Sequence, residues 1–252
     1  MEYGKHTKFI LTPIFDILED CVNATKGIGK GIENYPLCDY IMQTTFLKMT
    51  GASEQKLKCI LWEIATDDFD FRYDFLKSSY GECSKLEDKN KVFKVLKEQI
   101  IHLNLCDECL KNVFTDNIKL QIQKKATQNI IDLLQQTVLV SWQEKQFLFF
   151  KTNSSSYLDI NQYCNFSIDG GKNQKLSLLE KSIDYDKLVW KQRNRCAHNL
   201  KSYQVNLPSL SAIRDKNYDY ENYFFRFSIL ILLDEIFMKI YSEYLELLEN
   251  NI

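Results

Sequence analysis

Along most of the chain, apolar residues recur at the three- and four-residue spacing of an α-helix that buries one face. Residues 8–23 carry them at 10, 11, 14, 15, 17 and 18, after which Gly27, Gly29 and Gly31 interrupt the series. It resumes over 36–50 and halts at Thr50-Gly51, where Ser53 is placed to cap a further helix over 53–66. That helix sets Leu57, Ile60, Leu61 and Ile64 on one side, and Glu54, Lys56, Lys58 and Glu63 largely on others. A polar, aromatic-rich connector follows from Asp67-Asp68 to about 90; helical spacing then returns over 89–105 and through 117–150.

Residues 151–174 are rich in Ser, Asn and Gly and read as a loop holding at most a short hairpin. Residues 175–199 return to helix, 206–219 with Pro208 form a connector, and 220–249 read as a long amphipathic helix. There is no internal repeat. The elements predict an all-α fold, a helical bundle with additional N-terminal helices, forming a single domain over 1–252.

Composition agrees: glycine (8) and proline (3) are scarce among 252 residues, while apolar residues reach 45% and charged residues 26%. A formal net charge of −2 excludes a globally basic duplex binder, so any contact with nucleic acid must be a local patch or be supplied by a partner. The eight cysteines are scattered, which suggests reduced thiols rather than a disulfide framework. No apolar segment follows the N-terminus, and the longest apolar run, Phe227 to Leu233, contains a serine and falls far short of the roughly 20 residues a span needs. The expectation is a cytoplasmic protein with no membrane partner.

The densest polar cluster is Arg193-Asn194-Arg195-Cys196-Ala197-His198-Asn199, within a stretch that otherwise reads as helix. Asn194 and His198 stand at i and i+4 on one helical face, whereas Arg193 lies roughly 140° round the axis from His198. A guanidinium grips phosphate oxygens, and a histidine transfers protons near neutral pH. Arginine, a polar residue, then histidine five positions after the arginine resembles the R-x4-H signature of the HEPN superfamily. The resembling part spans about 175–249, and bundle helices from about 36–150 are needed to complete such a fold.

The resemblance implies a HEPN-like bundle and a metal-independent endoribonuclease that uses the RNA 2′-hydroxyl to leave a 2′,3′-cyclic phosphate and a 5′-hydroxyl. Arg193 and His198 are then the catalytic residues with Asn194 in support, Arg195 and Asn199 are candidate RNA-binding residues, and no metal or cofactor is required. It further implies a homodimer with a shared active site, because only one such motif is present. A defence or toxin-type setting, with a regulatory or antitoxin-like protein partner, follows by analogy. The competing class is a non-catalytic helical module that binds RNA or another protein, with the motif residues capping or salt-bridging a helix end.

Other clusters carry weaker chemistry. His102, Cys106 and Cys109 share a helical face, but no second ligand pair follows, so buried reduced thiols are the better reading than zinc. The run Ala24 to Gly31 superficially resembles a phosphate-binding loop, yet Gly31 stands where a Ser/Thr would hold magnesium. The segment Glu54 to Lys58 could pack near the motif, although a solvated helix face is the commoner fate of such charges. Asp67, Asp68 and Asp70 suggest a metal without fixing a geometry. Tyr218, Tyr220, Tyr223, Phe224 and Phe225 could stack on bases, although such residues more often line a core.

Overall fold

A computed structural model describes residues 4–77, 80–104, 109–169, 173–198 and 218–250. Helices dominate: α1 (Lys5–Leu11), α2 (Phe15–Ala24), α3 (Tyr35–Asp67), α4 (Phe69–Phe75), α5 (Leu86–Asn104), α6 (Cys109–Val113), α7 (Asp116–Leu134), α8 (Val138–Ser141), α9 (Glu144–Tyr157), α10 (Lys191–His198) and α11 (Tyr223–Asn250). Strands β1 (Phe166–Asp169) and β2 (Asn173–Leu176) add an antiparallel hairpin with Phe166 opposite Leu176. The all-α expectation holds apart from this hairpin.

The fold is organised around α11, which packs against α3, α5, α7 and α9. Every residue from Tyr223 to Phe237 is buried, so this helix is a central rod over that stretch rather than the amphipathic helix its spacing predicts. Its polar residues are matched individually. Ser228 donates to the Ala126 carbonyl, Glu235 pairs with Lys125 at 2.7 Å, and Asp234 pairs with Lys56 at 2.6 Å.

Helix α3 runs unbroken for 33 residues through the expected stop at Gly51. A mid-helix glycine costs about 1 kcal/mol relative to alanine. Burial of Met49, Thr50, Ser53 and Leu57 on either side of it more than offsets that. Ser53 therefore caps nothing; its Oγ accepts from Lys89 Nζ at 3.3 Å.

The first expected helix is instead two, split at Pro13. The proline holds Thr12 extended (ψ 119°), and the freed Ile14 N–H donates to Asp234 at 2.9 Å. Gly27, at φ +93°, takes the left-handed conformation beyond the end of α2.

The connector after α3 contains α4, whose start is capped by Asp68 accepting from the Phe71 N–H at 2.9 Å. The loop expected from 151 begins later. Helix α9 continues to Tyr157 because Phe147, Phe150 and Ser154 keep helical spacing on its buried face. Thr152 and Asn153 turn their side chains back onto the Leu148 and Phe149 carbonyls.

Conversely, the helix expected from 175 starts only near Tyr185. Asp184 accepts from the Lys187 N–H at 2.9 Å, one π-helical turn covers Asp186–Trp190, and α10 follows. No helix among the described residues is long and apolar enough to cross a membrane.

Candidate active site

The short helix α10 is held by its inner face. Gln192 and Cys196, one turn apart, are 4% and 0% exposed, and the Gln192 amide donates to the Cys196 sulfur at 3.5 Å. Burial pushes the Cys196 thiol up, which suits an apolar anchor better than a nucleophile. With those two residues inward, Arg193, Asn194 and Arg195 are left partly exposed.

Arg193 is not loose on that surface. Its Nη2 donates to Glu54 Oε2 at 3.2 Å, and its Nη1 donates to the Asn194 amide oxygen at 3.2 Å. Glu54 comes from the middle of α3 and is largely buried, its side chain 12% exposed against 32% for Arg193. The guanidinium is thus oriented from two directions, and it keeps N–H donors over for an incoming anion.

Behind Glu54 lies a second layer of charge. Lys89, fully buried on α5, donates to Ser53 and sits 5.4 Å over the Tyr185 ring. Burial pushes its ammonium down to about 8, and Glu54 opposes the shift. Lys58 pairs with Glu82 at 2.5 Å on the solvent side. Burial raises the Glu54 carboxyl above its ordinary range, while Arg193, then Lys89 and Lys58, hold it down.

Comparison of the chain with protein-family models, with curated proteins and with solved structures finds no match in any of the three. The geometry alone therefore carries the site.

Of the residues picked from sequence, Arg193 and Asn194 are brought into direct contact, and Asn194 orients the arginine. Arg195 lines a different cleft, beside the start of α11. His198 closes α10, but its side chain lies outside the described residues, as does all of Asn199.

Glu54 and Lys56 are corrections, since both are buried rather than set on a solvated face. The signal was present: Glu54 shares its helical face with Leu57 and Leu61, three and seven positions on. Lys89, which sequence reasoning passed over, likewise precedes Val92 and Phe93 on the buried face of α5.

The other clusters resolve into structure. Asp68 caps α4 and accepts from Gln99 at 2.7 Å, and Asp67 meets the Tyr244 hydroxyl at 3.4 Å, so neither is a free ligand. Tyr223, Phe224 and Phe225 are core residues, and Tyr220 stacks on Tyr157 at 4.5 Å; the Tyr218 side chain lies outside the described residues. His102 is exposed, while Cys106 and the side chain of Cys109 lie outside the described residues.

Proposed function

We propose that the protein is a HEPN-like, metal-independent endoribonuclease acting as a homodimer. The observation that carries the reading is the Arg193–Glu54 pair, because it holds the motif guanidinium in one orientation while leaving donors over. A phosphorane's equatorial oxygens would take those donors, which stabilise charge most effectively when oriented beforehand. His198 would transfer the proton between the 2′-hydroxyl and the leaving 5′-oxygen. Asn194 would act on the arginine, through the hydrogen bond it already makes. A second copy of the chain would face its own Arg193 and His198 across the scissile phosphate. The setting that fits is a defence or toxin-type nuclease controlled by a protein partner.

The same pair favours a second reading. A guanidinium already neutralised by a carboxylate can be purely structural, which would make the chain a non-catalytic RNA-binding or protein-interaction module.

Incubating the purified protein with mixed RNA in excess EDTA, beside Arg193→Ala and His198→Ala, separates the two. The nuclease reading expects cutting that survives EDTA, leaves 2′,3′-cyclic ends and is lost in both variants. Cutting that persists in both variants would sink the site, and no cutting by the dimer would favour the module.

A further inference from the structure

Arg195 projects about 200° round the α10 axis from Arg193. There it lines a cleft of about 330 Å³ bounded by α9, the first turns of α3 and the start of α11. The deepest cation in its wall is Arg226, only 6% exposed. Its Nε donates to the Leu188 carbonyl at 3.0 Å and its Nη2 to the Glu221 carbonyl at 3.1 Å, and no carboxylate among the described residues forms an ion pair with it. The guanidinium also lies 5.3 Å over the Tyr223 ring, and an anion in the cleft would complete the shell of this buried cation. Burial pushes Arg226 down, Tyr223, Cys196 and Glu221 oppose the shift, and Arg195 adds a smaller push down.

Two independent features of the same wall lack an acceptor or favour an anion. The indole N–H of Trp142 is buried without a hydrogen-bond partner. The N-terminus of the 28-residue α11 opens here, with Asn222 accepting from the Phe225 N–H at 3.2 Å, and helix N-termini attract negative charge.

The rim supplies flat apolar faces. Tyr35 is 47% exposed and stands edge-on to Trp142 at 5.9 Å, with Phe149 beyond. Three carboxylates, Asp39, Asp219 and Glu221, also line the cleft, and Glu221 pairs with Lys187 at 3.1 Å.

We infer that this cleft binds one nucleoside monophosphate unit, with its phosphate on Arg226, Arg195 and the α11 N-terminus and its base against Tyr35 and Trp142. The unit is either a free 5′-mononucleotide or one nucleotide of an RNA strand lying over α10. The inference rests on the proposed nuclease function only for the second source, and binding needs no cleavage.

The test is equilibrium titration of the full chain carrying Arg193→Ala, so that no RNA is cut, with AMP, adenosine, inorganic phosphate and hexaadenylate as probes. AMP should bind about tenfold or more tighter than adenosine or phosphate, with quenching that Trp142→Phe removes. Arg226→Gln should weaken AMP by about tenfold or more, the loss expected for a charged hydrogen-bonding partner. If that buried variant does not fold, Arg195→Ala, on the surface of α10, should weaken AMP by about fivefold on the same argument. Hexaadenylate that displaces AMP assigns the cleft to a strand, and hexaadenylate that does not assigns it to a free nucleotide. Phosphate binding as tightly as AMP, no saturable AMP binding, or affinity unmoved by the arginine variants would overturn the site. A failed cleavage assay would leave all of these results standing.

Discussion

The Arg193 guanidinium sits 3.2 Å from the carboxylate of Glu54, a residue 139 positions earlier in the chain. The pair ties the motif helix to the longest helix of the bundle. With Arg193 about a third exposed (32%), water screens the attraction, so the pair contributes at most about 1 kcal/mol to stability. Its larger effect is on direction.

Glu54→Gln should therefore leave the urea midpoint within about 1 kcal/mol of wild type. Under the proposed nuclease function it should lower kcat by about ten- to a hundredfold with KM little changed, since a misaligned donor is lost mainly in the transition state. Equal losses in both parameters, or none, would remove Glu54 from the mechanism.

The pH profile gives an independent handle. Glu54 grips Arg193 only when ionised, and burial raises its carboxyl. As pH falls through that raised value the grip is lost, in addition to any protonation of the base that the proposed nuclease mechanism requires. The acid limb of log kcat/KM should be steeper than a single-proton limb in wild type and fall to a single-proton slope in Glu54→Gln. A wild-type limb that already has single-proton slope counts against the idea.

The Lys56–Asp234 pair is of another kind, with side chains only 5% and 4% exposed at 2.6 Å. Asp234→Leu would strand a buried ammonium and should cost about 3–5 kcal/mol, whereas adding Lys56→Met should recover much of it, short of the bond that the Ile14 N–H also loses. Chemical denaturation of the four proteins in the cycle reads this directly, and additive losses would show that the pair is uncoupled.

Lys89 makes stability depend on alkaline pH. Burial lowers its ammonium from 10.5 to about 8 in the folded protein. Between those values the unfolded chain holds more protons at this position, so stability rises with pH across the window. Relative to Lys89→Met, wild type should gain about 1–3 kcal/mol between pH 7.5 and 10, measured by urea midpoints. A pH-independent difference would mean that the lysine is already neutral or is solvated.

Helical periodicity made most of the elements legible, since apolar spacing is local and survives without knowledge of partners. Boundaries failed where tertiary packing overrode a local signal. Gly51 reads as a stop, yet neighbours buried on both sides carry α3 through it. Ser154 reads as loop, yet its place one turn after Phe150 buries it.

The motif was legible because it is contiguous. Glu54 and Lys89 were not, because a charged side chain on an apolar face signals a buried partner without naming it. Packing of the segment Glu54 to Lys58 near the motif was the rarer alternative to a solvated face, and nothing in it singles out Glu54 as the partner of Arg193. Arg226 is the same case: its neighbours on both sides read only as core.

The π turn at Asp186–Trp190 sets a tolerance in residue count that the rest of the motif helix lacks. Such a turn is an α-helix that has absorbed one extra residue by turning less at each step, so four α residues would sweep roughly the same angle as these five. Deleting one residue within it should thus leave Cys196 facing its socket and preserve the coupling between Arg193 and Glu54 in a double-mutant cycle. Deleting one residue from the α-helical turn between Trp190 and Arg193 would instead swing Arg193 by about 100° and abolish that coupling. In aligning related chains, a one-residue gap between 186 and 190 would be a neutral change of length, whereas the same gap between 190 and 193 would put the motif out of phase.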